Sequence, residues 1–484
     1  MRPLFKVGSV LLLPLIMSGC VAASETFEPD LGFDVVSADA GRRLGKQTVW
    51  VQDQAQAAAA NERVRNLLAA KYIGADAAVQ VALLSNKALQ ADYAEVGLSV
   101  AELWQEGLAV NPRLSLSYSG IGVGRTIEGL IAANIIRMMT RERRLDVAEV
   151  RVLQAQLRAV DATLALAART REAWIEAVAA WETVAYLNRA KVAADAAAEL
   201  ASELGRTGAM PKVEQAREQA FYAELTGRTA EARLAAQLAK EKLFRVMGVW
   251  GKNLDFEVPN ALPALPGTLK GFKAIEAEAL RNRVDLQVAR LELEALARSY
   301  GLTEATRYVS DLELAAGLEV EKEVEEQEDG TEETNNVVSG VIEVGLEIPI
   351  FDSGQARLRK AEFQYLKAAN QLAAKAVDIR SQARAAYKAY RGRSEIARHY
   401  RSRVVPLRTT IEKEALLTYN GMITSTFDLL ADTRAKLDAI LLSLNAKREF
   451  HLADAALTAA VYGGGEDAPE AAGDAEMASA SGDD

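Results

Sequence analysis

The chain has 484 residues with a formal net charge of −10 at pH 7, and half of its residues are hydrophobic. This acidic balance argues against nucleic acid as a partner, because phosphate binding needs a basic face. The single cysteine excludes an intrachain disulfide and a cysteine metal cluster, and the low count of 11 prolines favours long helices.

The first residues predict export from the cytoplasm. A charged start precedes a short apolar run, Val10 to Met17, which is shorter than the ~20 helical residues that span a bilayer. The sequence Met17-Ser18-Gly19-Cys20 then looks like a bacterial lipobox. Residues 1–19 are therefore interpreted as a lipoprotein signal peptide and Cys20 as the lipid (palmitate) acceptor, with a plain secretory signal as the alternative. A lipid chain alone holds a protein weakly, so a second membrane contact is expected.

The first half predicts helices on either side of a hairpin. Residues 20–60 lack a clear apolar period and predict a lipidated extended arm, after which helical spacing continues to about residue 109. A β-hairpin is expected at about 112–137, where apolar residues alternate with serines. Residues 141–204 contain no proline or glycine, so they predict a helix of ~64 residues, close to 100 Å long, with coiled-coil spacing. A further helix is expected to run to about Met247.

The second half repeats the first at an offset of about 197 positions, which grows to about 213 further along the chain. Ala82-Leu83 and Asn86, for example, return as Ala279-Leu280 and Arg283. Solenoid repeats have periods of ~20–50 residues, so this repeat is a duplicated half-protein. The predicted units are a first repeat at 61–258, a Pro-rich linker at 259–267, a second repeat at 268–462 with a hairpin at about 310–350, and a disordered acidic tail at 463–484.

The second hairpin predicts one apolar and one acidic face. Apolar positions alternate with Glu313 and Glu319 on one strand and with Glu343 and Glu347 on the other, across an acidic loop at about 322–336. Membrane β-barrel walls show this alternation, with acids toward the lumen, and soluble amphipathic hairpins show it too. Four strands are too few to close a barrel, since known ones begin at eight, and open edges have no place in hydrocarbon. Copies of the chain are therefore expected to pool their strands, and three copies, a homotrimer, would supply twelve, although the strand count does not force the number three.

The order of several motifs resembles the TolC family of outer-membrane efflux channels, especially its lipoprotein branch. The motifs are Ala279-Leu280 to Asp285-Leu286, Ile348-Pro349-Ile350-Phe351-Asp352-Ser353-Gly354, and Tyr419 to Gly421 leading to Phe427-Asp428-Leu429-Leu430-Ala431. The last of these motifs resembles a branch of the family that is often associated with resistance to copper or other heavy metals.

The resemblance implies a mainly α fold with a small transmembrane β part, internally duplicated as helix-strand-strand-long helix-helix. Four strands per chain would complete a 12-stranded trimeric β-barrel on a long α-helical barrel. Its implied function is a passive exit duct of a tripartite efflux system. The chain would sit in outer-membrane lipid with its helices in the periplasm, and would dock to a periplasmic membrane-fusion adaptor and an inner-membrane pump of RND or ABC type.

The resemblance also implies two sites. The helix breaks would be hairpin tips that contact the adaptor, formed by Thr207, Gly208, Ala209, Met210, Gly421, Met422 and Thr424. Asp428 and Asp432, four residues apart on one helical face, would form carboxylate rings at the periplasmic gate. The alternatives are turn chemistry for the tips and a solvated helix face for the aspartates.

No catalytic set, cofactor or metal site is predicted. His399 and His451 lack cysteine or further histidine partners, and neither a Walker motif nor a dinucleotide loop occurs. An enzyme is therefore not expected. A type I protein secretion duct and a periplasm-spanning structural coiled-coil lipoprotein without transport are the alternatives to efflux. Acids on a lumen face would give weak cation selectivity.

Overall fold

The computed structural model describes residues 31–121, 124–309, 311–326, 332–421, 423 and 425–464. The expected signal peptide, Cys20, Met422, Thr424 and all but the first two residues of the expected acidic tail lie outside the described residues. The described part is mainly helical with one four-stranded antiparallel sheet.

The two halves share a succession of two helices, two strands, a long helix and a final helix, to which the first half adds two helices at its start and a short one after its strands. The first half contains α1 (Phe33–Leu44), α2 (Gln54–Leu68), α3 (Ala75–Ser85), α4 (Lys87–Gly107), β1 (Arg113–Ile121), β2 (Gly124–Asn134), α5 (Ile135–Met139), α6 (Arg141–Arg206) and α7 (Lys212–Met247). The second half contains α8 (Ile275–Asn282), α9 (Val284–Ala305), β3 (Leu312–Glu326), β4 (Glu332–Leu346), α10 (Gln355–His399), α11 (Val405–Asn420) and α12 (Thr426–Tyr462).

The extended arm expected over residues 20–60 is wrong where the structure describes it, because α1 and the start of α2 fall inside that range. Phe33, Val36 and Ala40 follow one another at helical spacing and are all buried. The Phe33 ring packs edge-on against Tyr93, with centroids 4.7 Å apart. Burial of this short apolar stripe, chiefly against α6, explains the helix, and three positions were too few to show a period in the sequence.

The long uninterrupted helix predicted from residue 141 is confirmed as α6, 66 residues long. It packs against α3, α4 and α7 of its own half and against α9 and α12 of the other. The single helices expected before each hairpin are instead broken, into α2, α3 and α4 in the first half and into α8 and α9 in the second. No helix among the described residues is both long and apolar enough to cross a bilayer.

The helix breaks confirm that the two halves are structural copies. Asn86 separates α3 from α4 with φ −70° and ψ 118°, and Arg283 separates α8 from α9 with φ −64° and ψ 120°. Each break is packed against a left-handed glycine that ends the last helix of its half. Gly248 lies so close to Asn86 that a Cβ there would come within 2.8 Å of the Asn86 Cα, and Gly463 lies near the backbone of Val284.

The second long helix differs from the first because it is interrupted. A π-helical turn, Tyr400–Val404, joins α10 to α11 immediately before Pro406. Proline has no N–H to donate to the preceding turn, so the hydrogen-bond register has to change there. The corresponding stretch of α6 has no such turn.

The sheet has the order β1-β2-β3-β4, and every neighbouring pair is antiparallel. The acidic loop expected at about 322–336 is wrong in its extent, since β3 and β4 pair in register as far as Glu326 and Glu332. Backbone pairing does not require apolar side chains, so the loss of alternation in the sequence did not mark the end of the strands. The outer edges of β1 and β4 have no partner strand among the described residues.

Candidate functional site

One face of the sheet is apolar across all four strands. In the register Leu114 lies opposite Ile131, Ile131 opposite Ala316, and Ala316 opposite Ile342, and cross-strand partners point to the same face. Large side chains of this face are exposed, with Leu116 at 75% and Ile342 at 78%. The other exposed members are Leu114, Tyr118, Ile127, Ile131, Leu314, Leu318, Val320, Val338 and Val344. An apolar patch this continuous marks a surface that something apolar covers.

The opposite face carries the acids. The row Ser117, Glu128, Glu319 and Ser339 runs straight across the four strands. The Ser117 hydroxyl donates to a Glu128 carboxylate oxygen at 3.1 Å. Glu128 and Glu319 therefore stand side by side, and like charges directly opposite each other are destabilising in a sheet. An arrangement that costs stability suggests that this face serves a function.

Three of the four predicted lumen-facing glutamates share this face. Glu313 lies opposite Gly345, and Glu343 lies opposite Ala315. In this register both glutamates point to the same face of the sheet as Glu319. Arg113 contacts Glu313 with an N–O distance of 3.5 Å. Glu347 falls one residue beyond the end of β4, so the strand register does not place it with the others. The sequence missed Glu128 because Leu130 and Ala132, on the same face, disrupt the alternation of β2.

The first helix break is a tight turn between α6 and α7. Thr207, Gly208 and Ala209 are exposed and Met210 is half-buried. Gly208 has φ 77°, which favours glycine, and the Ala209 N–H donates to the Leu204 carbonyl at 2.9 Å. These bonds close the end of α6 and leave the tip accessible.

The second break, between α11 and α12, uses different geometry. Gly421 has φ −79°, an ordinary value, so its backbone does not require glycine. The Ile423 N–H donates to the Thr418 carbonyl at 2.9 Å, and Ser425 caps α12. The tip roles of Met422 and Thr424 fall on positions outside the described residues.

Asp428 and Asp432 line one groove of about 380 Å³ between α11 and α12. Glu414, which the sequence did not single out, lines the same groove from α11. Asp428 also closes a capping box, since its carboxylate accepts from the Ser425 hydroxyl at 2.8 Å and the Ser425 hydroxyl accepts from the Asp428 N–H. Asp428 thus stabilises the start of α12, whereas Asp432 takes no part in this capping box.

The histidines lie apart from these surfaces. His451 lies on α12, with its Nε2 3.1 Å from the Pro263 carbonyl oxygen. Burial lowers the pKa of His451 below its ordinary value. His399 is exposed at the end of α10. Among residues 31–464 as described, no three histidine, cysteine, aspartate or glutamate side chains lie close enough to hold a metal ion.

No protein-family model matches the chain, and no curated protein matches it by sequence. Solved structures do match its fold. A membrane protein from Pseudomonas aeruginosa has a TM-score of 0.68 at 16% identity, covering 82% of this chain and 93% of its own. The outer membrane protein VceC from Vibrio cholerae has a TM-score of 0.64 at 17% identity, and the match covers 84% of this chain and 97% of VceC.

A third match is CusC, whose crystal structures are described in terms of folding and transmembrane channel formation. Its TM-score is 0.65 at 14% identity, and the match covers 83% of this chain and 92% of CusC. The resemblance inferred from sequence is thereby confirmed at the level of fold: this chain has the fold of the TolC-type outer-membrane channels.

Proposed function

We propose that this chain is an outer-membrane channel that works as a trimer and serves as the passive exit duct of a tripartite efflux system. The observation that carries the proposal is the open four-stranded sheet, with one exposed apolar face, one acidic face and two edges that no described strand pairs with. Hydrocarbon would cover the apolar face, and water in a lumen would solvate the acids.

The same sheet supports assembly of several copies into a closed ring. Unpaired backbone groups at a strand edge cost several kcal/mol each in hydrocarbon, so the edges of β1 and β4 have to be paired. Pairing β4 of one copy with β1 of the next uses both edges, and three copies supply twelve strands. Known outer-membrane barrels contain at least eight strands, which excludes a single copy, and the number three comes from the resemblance to TolC-type channels.

The helices supply the periplasmic part. At ~1.5 Å rise per residue, α6 is about 100 Å long, which is suited to a duct below the membrane rather than to a compact domain. The hairpin tips at Gly208 and Gly421 would meet a periplasmic adaptor, which would link the duct to an inner-membrane pump of RND or ABC type. Lipidation at Cys20 would anchor the chain in outer-membrane lipid. Asp428 and Asp432 would narrow the periplasmic end, and Glu128, Glu313, Glu319 and Glu343 would line the lumen.

Planar-bilayer recording of the purified protein, together with native mass spectrometry in detergent, tests the proposal. The expected results are a trimeric mass and steady conductance. A chain that stays monomeric and does not conduct would overturn the proposal, and a trimer without conductance would favour the structural tether.

A pair of matched variants tests which face meets lipid. Ile342→Arg places a charge on the apolar face, and Ser339→Arg places the same charge on the acidic face, three residues away on β4. A basic side chain facing lipid costs ~2–4 kcal/mol at the membrane midplane. Ile342→Arg should therefore reduce recovery from the outer membrane while Ser339→Arg does not, and equal recovery would contradict the assignment of faces.

A further inference from the structure

The two free edges of the sheet continue into two free helix faces. Helix α4 ends six residues before β1 begins, and α10 begins nine residues after β4 ends. Within the described residues α4 packs on α6, α10 packs on α8, α9 and α12, and α4 and α10 form no extensive contact with each other. Each of these two helices therefore has a face turned away from its own chain. For α4 this face lies on the side of β1, and for α10 on the side of β4.

The free face of α4 carries two acids around an apolar residue. Glu95, Leu98 and Glu102 are exposed, Leu98 at 59%. At ~100° per residue these three positions lie within about 60° of arc, roughly opposite the buried side. The buried side of α4 is formed by Leu89, Tyr93 and Val96.

The free face of α10 carries two bases around an apolar residue. Lys360, Phe363 and Lys367 are exposed, Phe363 at 63%. They too lie within about 60° of arc and roughly opposite the buried side of their helix. The buried side of α10 includes Ala368, Ile379 and Ala383. Among the described residues, none of the four charged side chains has an ion-pair partner.

We propose that the Glu95–Leu98–Glu102 surface of one copy binds the Lys360–Phe363–Lys367 surface of the next copy. The two triads have the same spacing, three and then four residues, and opposite charge. Helix α4 leads into the sheet and α10 leads out of it, so neighbouring copies would bring these helices together antiparallel. When Glu102 faces Lys360, the equal spacing brings Glu95 to Lys367 and Leu98 beside Phe363.

The partner is a second copy of this chain, because the surfaces are complementary to each other and neither is complementary to itself. An α4-to-α4 contact would bring four glutamates together, and an α10-to-α10 contact four lysines, so a two-fold symmetric dimer is disfavoured. A contact between unlike surfaces is head-to-tail and closes into a ring when the rotation permits. The same rotation would join β4 to β1. The inference rests on the proposed trimer and adds which helix faces form its seam.

Disulfide trapping tests the position of this seam. The double variant Leu98→Cys/Phe363→Cys, mildly oxidised in membranes, should give covalent dimers and trimers on a denaturing gel. Each single variant is the control, because it shows how much cross-linking arises through Cys20, the natural cysteine. If the wild type is trimeric but the double variant gives no more cross-linked product than the single variants, the proposed seam is wrong and the proposed function stands. A monomeric wild type would overturn both.

Charge reversal tests whether the charges matter. Lys360→Glu/Lys367→Glu should reduce the trimeric fraction in detergent several-fold, because two attractive contacts become repulsive at each interface. Adding Glu95→Lys/Glu102→Lys should restore the wild-type fraction. Arg63→Glu/Arg65→Glu on α2 reverses the same charge on exposed positions of a helix that packs on α3, and should leave the fraction unchanged. Failure of the second pair to rescue the first would overturn the charge pairing.

Discussion

The guanidinium carbon of Arg217 lies 5.0 Å from the centroid of the Phe427 ring. Arg217 belongs to α7, just after the first helix break, and Phe427 belongs to α12, just after the second. This cation–π contact shows that the two tips lie side by side at one end of the molecule. A partner that docks there therefore meets residues of both halves at once.

The Arg217–Phe427 contact should stabilise the second tip. Arg217→Met keeps an aliphatic chain of similar length and removes the charge. A cation–π contact at an exposed site contributes ~0.5–1 kcal/mol, so hydrogen exchange at residues 425–429 should speed up by about two- to five-fold. Arg228→Met removes an ion pair to Asp438 farther from the tip and should leave that exchange unchanged. Equal effects of the two variants would show that the contact does not hold the tip.

A bulky residue at the second tip should block transport without disturbing assembly. Gly421 is exposed and has an ordinary φ, and a Cβ there would meet its nearest atoms at 3.5 Å. Gly421→Ala should therefore keep trimers and efflux, whereas Gly421→Trp should keep trimers and lose efflux. Accumulation of a pump substrate in cells that depend on this chain provides the measurement. Normal efflux in the Trp variant would contradict a role for this tip in adaptor docking.

The acidic face should make the pore favour cations. Glu128 and Glu319 lie opposite each other, and three copies would place six such carboxylates at one level. The reversal potential in a KCl gradient should indicate a cation preference. The double variant Glu128→Gln/Glu319→Gln should bring the permeability ratio closer to one, and Glu62→Gln on exposed α2 should not. Anion selectivity of the wild type would refute the lumen assignment.

The buried ion pair of the second repeat should make the free energy of unfolding depend on pH in the acid range. Arg283 donates to both carboxylate oxygens of Asp285 at 2.8 and 2.7 Å, and Lys375 lies 3.3 Å away. Burial alone would raise the pKa of Asp285, but the hydrogen bonds and charges of Arg283 and Lys375 outweigh it and lower that pKa. The stabilisation is therefore complete above the ordinary carboxyl pKa of ~3.9 and is lost as pH falls through the lower folded value.

Asp285→Asn removes that stabilisation at neutral pH, because it leaves the buried Arg283 without its counter-charge. Breaking a buried pair costs ~3–5 kcal/mol, and denaturant unfolding at pH 7 measures it. Asp76→Asn, at an exposed site that contacts Lys46 and Arg171, should cost less than about 1 kcal/mol. Similar losses in the two variants would mean that burial of the first pair does not matter.

The sequence predicts the long features of this fold and misses the short ones. Helix α6 was predicted to within two residues because its length leaves the absence of proline and glycine unmistakable. The apolar rows of β3 and β4 were correct because alternation over many residues averages out exceptions. Helix α1 was missed because its signal consists of Phe33, Val36 and Ala40 alone.

The candidate site was only partly predictable for the same reason. Glu128 becomes visible only through its pairing with Glu319, which is a contact between residues 191 positions apart. The capping role of Asp428 depends on Ser425, and their spacing is also that of an ordinary polar helix start. Contacts between distant parts of the chain, rather than local pattern, decide both cases.

The pairing of β2 with β3 has a consequence for how assembly would depend on concentration. It joins the hairpin of one half to the hairpin of the other, over a register from Arg125 opposite Lys322 to Asn134 opposite Glu313. A twelve-stranded wall of six hairpins needs six such joints, and duplication makes every second one intramolecular. At equilibrium, the amount of a wall built from six separate hairpins would depend on the sixth power of their concentration, whereas a wall built from three copies of this chain would depend on the third power. In the proposed trimer, the duplicated chain would therefore gain its largest advantage at low concentration.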